Sequence, residues 1–171
     1  MKSVRGIFAA CVALGGLLPF RAVAQGAATS APLSDIRYEI TFTRAHAERR
    51  QVSAAMTFTV GGTDPVLLSL PSWTPGAYEI SNFARDVANF SAEQSGMSVN
   101  WDKVGTDTWR VRPRGVGAVT VRFDYIADSL DNADTWSRPD FLLFNGTNLF
   151  LYPEGRGFDF PAAVTVNTEA A

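Results

Sequence analysis

Apolar and polar side chains alternate one for one along several short stretches of this chain. Ile36, Tyr38, Ile40 and Phe42 fall on one face while Arg37, Glu39, Thr41 and Thr43 fall on the other, which is the two-residue period of a strand with one buried side. Val52, Ala54, Met56, Phe58 and Val60 repeat the pattern, and the polar residues 44–50 between the two stretches have the length of a loop joining antiparallel strands. Gly61-Gly62 and Asp64-Pro65 end the second strand, and residues 66–70 open a third that Pro71 closes. The clearest alternation is Val119, Val121, Phe123 and Tyr125 against Thr120, Arg122 and Asp124. Weaker patterns predict strands at 87–94, 97–101 and 108–112, a pair formed by 141–144 and 149–152 around Asn145-Gly146, and a last strand from 164. Residues 77–84 fit a strand or a short helical turn, and 128–140 read as an acidic loop.

So many short strands without an amphipathic helix predict an all-β fold, an antiparallel β-sandwich or a barrel-like sheet pair. The most distinctive stretch is 70–87. Thr74-Pro75-Gly76-Ala77 reads as a type II turn, because proline presets the first central dihedral and glycine accepts the positive φ of the second. Trp73 and Tyr78 flank this corner and either cap a core or line a binding edge; burial is the commoner fate of such rings, and a core position is the expectation.

Composition removes the first 24 residues from the fold. Lys2 and Arg5 precede an apolar run over 7–20, and Ala22-Val23-Ala24 before Gln25 fits a secretory signal cut after Ala24. The run is short for a bilayer span, so no membrane association is expected after cleavage and the destination is secreted or periplasmic. Cys11 sits inside the run rather than closing it, which argues against lipidation. Residues 25–34, small and polar, read as a flexible lead-in, and 35–171 as one β-rich domain. The signal holds three of the 15 basic residues and none of the 17 acidic ones, so the mature chain has a net charge of −5 and no cysteine. That argues against a nucleic-acid surface and excludes a disulfide framework or a thiolate metal site.

Candidate chemistry is sparse. A hydrolytic site needs an activated nucleophile with a base, or a metal with open coordination, and the chain owns one histidine, His46, in the polar loop. A Ser-His-Asp assembly around it lacks the Gly-x-Ser-x-Gly elbow, so His46 reads as a solvated loop residue. Asp124, Asp128, Asp131, Asp134 and Asp140 do not follow a calcium-loop spacing. The triplets Asn89-Phe90-Ser91 and Asn145-Gly146-Thr147 fit the glycosylation acceptor pattern and carry no weight behind a bacterial-looking signal.

Three motifs in order carry a resemblance: Leu70-Pro-Ser-Trp-Thr-Pro-Gly-Ala-Tyr78 with Asn82-Phe-Ala84 and Val87, then Asp107-Thr-Trp-Arg-Val111, then Phe144-Asn-Gly-Thr-Asn-Leu-Phe-Leu-Tyr-Pro-Glu-Gly155. Over roughly 36–166 the chain resembles the amino-terminal domain of metallopeptidase family 61, the glycyl aminopeptidases. The resemblance implies a β-rich domain followed by a thermolysin-like catalytic domain, whose His-Glu-x-x-His helix and downstream Glu bind zinc, and then by a PDZ-like domain. No His-Glu-x-x-His occurs here, so no zinc ligand or general base transfers to this chain; zinc is expected in the missing catalytic domain. The expected partners are that downstream domain of the same polypeptide and a peptide substrate, with Trp73, Tyr78, Asn145 and Asn148 as candidate substrate-binding residues, because aromatic and amide groups at turns orient a peptide. The chain stops soon after its last strand begins, which reads as a truncated polypeptide. The rival reading is a free-standing secreted β-sandwich that binds carbohydrate or protein through Trp73, Tyr78, Trp136 and Tyr152.

Overall fold

The computed structural model describes residues 29–131 and 133–169; the expected signal with Cys11, and residues 25–28 of the lead-in, lie outside them. Strand β1 (Leu33–Phe42) leads through a short helix α1 (Arg44–Arg49) into β2 (Gln51–Val60), and β3 (Val66–Ser69) follows. After the Pro-Gly corner come a 3₁₀ turn (Phe83–Asp86), β4 (Val87–Gln94), β5 (Met97–Ser98), β6 (Trp101–Lys103), β7 (Thr108–Val111) and β8 (Gly117–Ile126). The remainder holds the hairpin β9 (Trp136–Arg138) and β10 (Phe141–Leu143), a single helical turn α2 (Gly146–Leu149), β11 (Tyr152–Pro153) and β12 (Ala162–Thr168).

The strands form a six-stranded sheet in the order β12-β1-β2-β8-β4-β5, a four-stranded sheet in the order β11-β3-β7-β6, and the separate β9-β10 hairpin. β2 pairs along all ten residues with β8 and along most of its length with β1, and its alternate residues Val52, Ala54, Met56, Phe58 and Val60 are buried. Inward residues of both sheets belong to one apolar cluster, to which the four-stranded sheet adds Val66, Leu68, Trp109 and Val111. Phe90 of β4 stacks on Trp109 of β7 with ring centres 5.1 Å apart. The Tyr38 hydroxyl of β1 donates to the Leu151 carbonyl at 2.6 Å, tying the large sheet to the segment that enters β11; burial pushes that phenol up to about 12.

Five features differ from the sequence expectation. The β12 to β1 pairing is parallel, whereas the expected sheets were antiparallel throughout; alternation shows which face is buried but not which strand lies alongside. Residues 44–49 are helical rather than a loop, because His46 Nδ1 accepts from the Thr43 backbone N–H at 3.2 Å and from its hydroxyl at 2.7 Å, in the manner of a capping box, and Arg50 closes the helix with φ of 50°. The stretch 97–101 divides between β5 in one sheet and β6 in the other. Segments 141–144 and 149–152 do not pair with each other: β10 pairs with β9, inside the expected acidic loop, and β11 pairs with β3. The end of the expected lead-in is fixed, since Ser30 gives its N–H to the Glu154 carbonyl, accepts the Leu67 N–H on its hydroxyl and holds the Arg156 guanidinium on its carbonyl. This segment lies against β3, which is buried along all four residues.

The Tyr38 contact yields a test. Tyr38→Phe keeps the ring and leaves the Leu151 carbonyl unpaired in the interior, at a cost of about 1 to 2 kcal/mol. Chemical denaturation reads it, and an unchanged midpoint contradicts the assignment.

Candidate functional site

The motif residues meet at one end of the two sheets. Beyond β3 the Leu70 N–H donates to the Asp107 carbonyl, and the Ser72 hydroxyl donates to the Asp107 carboxylate at 2.7 Å. The loop then reverses: the Ala77 N–H returns to the Thr74 carbonyl at 3.2 Å across Pro75 and Gly76, with Gly76 at φ of 97°, as a type II turn requires. The N–H groups of Ser81 and Asn82 both return to the Ser72 carbonyl, so the ten-residue excursion closes on itself. Asn82 at φ of 51° opens the 3₁₀ turn, against which α2 packs.

The expectation of a buried aromatic pair fails here. Trp73 is 49% exposed, Tyr78 97% and Ile80 67%; the closing hydrogen bonds hold the corner out from the core. Tyr78 also sits at φ of 55°, a left-handed conformation that a bulky side chain adopts at a cost.

The two amide candidates have different surroundings. Asn145 caps α2, accepting the Thr147 N–H on Oδ1 at 3.1 Å, and its Nδ2 lies 3.5 Å from the Thr74 hydroxyl. Asn148 is fully buried and takes the Thr135 hydroxyl on Oδ1 at 2.9 Å, leaving Nδ2 without a partner. Asn145 is therefore the link between the corner and α2, and Asn148 the link between α2 and the 133–135 segment.

The acidic loop read from the sequence is the neighbour of this end, and part of it is buried: Asp134 is 8% exposed. Arg85 of the 3₁₀ turn is ion-paired with Asp86 at 3.3 Å and lies 3.9 Å from Asp134. Asp131 accepts the N–H groups of Ala133 and Asp134, both at 2.7 Å, and these bonds hold its carboxyl below the usual carboxylate range. Burial, and then the charge of Asp131, push Asp134 up to about 6. The phenol of Tyr125 is raised by burial and by the charges of Asp86 and Asp134. Among the described residues the Asp134 Oδ1, Tyr125 hydroxyl, Ser81 hydroxyl, Thr147 hydroxyl and Asn148 Nδ2 are buried without a hydrogen-bond partner. Such groups are few in a folded domain; Ser81, Thr147 and Asn148 lie in the motif stretches, whereas Tyr125 and Asp134 do not.

His46 lies elsewhere, on α1. Its Nε2 is 2.9 Å from the Ser53 hydroxyl, which donates to Asp124 at 2.5 Å, and Asn89 donates to the same carboxylate at 2.8 Å. His, Ser and Asp do come together, but in the wrong order for nucleophilic catalysis. With Nδ1 accepting from Thr43, Nε2 carries the proton and donates to Ser53, whose own proton is committed to Asp124. The histidine therefore cannot take the serine proton as a base does. His46 is a half-buried tie between α1 and β2 rather than a solvated loop residue. The described residues contain no group of three or more His, Cys, Asp and Glu placed to hold a metal. Of the rival aromatic quartet, Trp136 packs on Phe141 and Tyr152 on Phe158.

The profile of the peptidase M61 N-terminal domain matches residues 37–171. The chain belongs to that family. The M61 N-terminal domain is similar to an aminopeptidase N family protein from Idiomarina loihiensis, with 26% identity and a TM-score of 0.69, over 78% of this chain and 22% of that one. An M1 zinc metallopeptidase from Deinococcus radiodurans aligns at 15% identity with a TM-score of 0.46, over 83% of this chain and 33% of that one. No curated protein matches the chain. The M61 N-terminal domain thus spans between a fifth and a third of the length of these solved relatives.

Two outcomes follow from this end of the domain. Gly76→Ala forces a side chain onto a positive φ, although no neighbouring atom lies within 4 Å of the added Cβ; the loss is about 1 kcal/mol and appears as a lower denaturation midpoint. Asp134 takes up its proton near pH 6 when folded and near about 3.9 when unfolded, so it adds stability as the pH falls from 6 toward 4 and withholds it above 6. Asp134→Asn is therefore expected to stabilise by on the order of 1 kcal/mol at about pH 7.5 and to lose that advantage at about pH 4. Equal effects at both pH values contradict the buried, proton-hungry carboxyl.

Proposed function

We propose that this chain is the non-catalytic amino-terminal β domain of a secreted zinc aminopeptidase of the glycyl aminopeptidase type, and that it packs on the catalytic domain and walls one side of the substrate cleft. The observation that carries the reading is the corner at 73–80. Two aromatic rings and an isoleucine are held in solvent by a self-closed loop, with Tyr78 in a costly backbone conformation. Strain of this kind persists where the surroundings over-determine it and clusters at ligand-facing sites. A rigid aromatic edge offers an extended peptide apolar contact at low entropic cost. Asn145, as the cap of α2, sets the corner's position, and Asn148 anchors the turn beneath it.

Zinc, in this reading, belongs to the catalytic domain. One histidine already committed to Thr43 and Ser53 does not make a two-histidine, one-carboxylate site, so this chain supplies no ligand and no step of the hydrolysis. Its contribution is to position the peptide and exclude water on one side of the cleft. Export across the inner membrane, with cleavage after Ala24, completes the proposal.

Kinetics of the longer polypeptide encoded by the same reading frame test it. Trp73→Ala and Tyr78→Ala each raise KM on glycyl and alanyl peptides about tenfold at unchanged melting temperature, because the rings are exposed in the domain itself. Residues 25–171 alone turn over no peptide and bind no stoichiometric zinc. Unchanged KM in both variants removes the cleft-wall role, and activity of residues 25–171 that a chelator abolishes would place the site inside this chain.

A further inference from the structure

Strand β12 is the unguarded edge of this domain. Where two sheets end, natural proteins blunt the open backbone with short strands, prolines or charges. Three of the four ends of the two larger sheets follow that rule: β5 has two residues, β11 has two including Pro153, and β6 has three including Asp102 and Lys103. β12 follows none of it. Its seven residues, Ala-Ala-Val-Thr-Val-Asn-Thr, are uncharged, contain no proline, and are all exposed.

Val164 and Val166 stand opposite Tyr38 and Ile40 in register, and so lie on the face that is buried along β1, yet they are 51% and 49% exposed. The strand is nonetheless pinned. Asn167 donates to Glu39 at 2.7 Å, the Arg44 N–H donates to Glu169 at 3.1 Å, and seven register pairs join β12 to β1. A parallel strand is ordinarily covered on both faces; this one is fixed in place with neither covered.

We propose that β12 is the docking edge for the polypeptide that follows it: an extended, uncharged segment of the downstream catalytic domain adds to the free edge of β12, with apolar residues seated on Val164 and Val166. The inference rests on the reading under Proposed function. The occupant is argued from continuity, since the matched family domain is an amino-terminal one, the relative it resembles extends far beyond the aligned part, and β12 is the last element. A segment of the same polypeptide meets this edge at high effective concentration, which favours it over any free partner. Strand addition of this kind draws affinity from backbone hydrogen bonds and register from alternate side chains.

Hydrogen exchange on this 171-residue chain and on the longer polypeptide decides the matter. The β12 amides that point away from β1 exchange freely in the shorter chain and slow by about tenfold or more in the longer one. Val164→Lys with Val166→Lys leaves the melting temperature of the shorter chain unchanged and lowers that of the longer one. If the two parts of the longer polypeptide melt as one unit but β12 exchanges as fast as before, the inference fails and the domain reading stands. If they melt independently, or the frame encodes no catalytic domain, both fail. Concentration-dependent protection of β12 in the shorter chain, with a dimer in sedimentation, overturns the proposal in favour of a second copy as occupant.

Discussion

The fold depends on the alternation along β2. Flanked by β1 and β8, this strand puts five consecutive alternate residues into the interior with none of its inward side chains left to solvent. A slip of one residue would turn that whole set outward and bring Gln51, Ser53, Thr57 and Thr59 in. The register of the large sheet is therefore set by its centre, and β4 and β12 are placed as neighbours of strands already fixed. The small sheet is held to this frame by side chains rather than by a shared strand: the Tyr38 hydroxyl on Leu151, and Phe90 on Trp109.

That dependence explains what could be read from the sequence. The long strands were legible because ten residues give a two-residue period room to repeat, and β1, β2 and β8 fall where the alternation placed them. β9, β10, β11 and α2 have two to four residues each, too few for any period: β9 reads as part of an acidic loop, and the apolar residues of 141–144 and 149–152 read as a strand pair that the fold does not contain. Pairing direction was illegible in principle, so the parallel β12 went unseen. α1 left a faint signal, Thr43 followed three positions later by His46, with histidine standing where a capping box carries Glu or Gln.

Site residues were legible as positions and not as environments. Trp73 and Tyr78 stand out in the sequence, but ring type does not encode exposure; the closure of the loop on the Ser72 carbonyl holds both rings in solvent. Asn145 and Asn148 were marked together, yet one caps a helical turn while the other is fully enclosed. The role of Asp134 had no sequence signal at all. Its raised proton affinity comes first from burial under segments brought together only by the fold, and then from the charge of Asp131, three residues away.

The three motif stretches are joined by a set of contacts, from Asp107 to Ser72 and from Thr74 to Asn145, and Asn148 extends it to Thr135. If that end faces the substrate, its exposed ring must become shielded when the cleft is filled. The chain after Ala24 has no cysteine, so Tyr78→Cys places a thiol at the corner without interference from the domain's own residues. The decisive measurement is the rate at which residue 78 is alkylated in the longer polypeptide proposed above, read by mass spectrometry, with and without a non-hydrolysable glycyl peptide. The account predicts fast labelling without the peptide and labelling slowed about tenfold or more with it; equal rates in both states would contradict it.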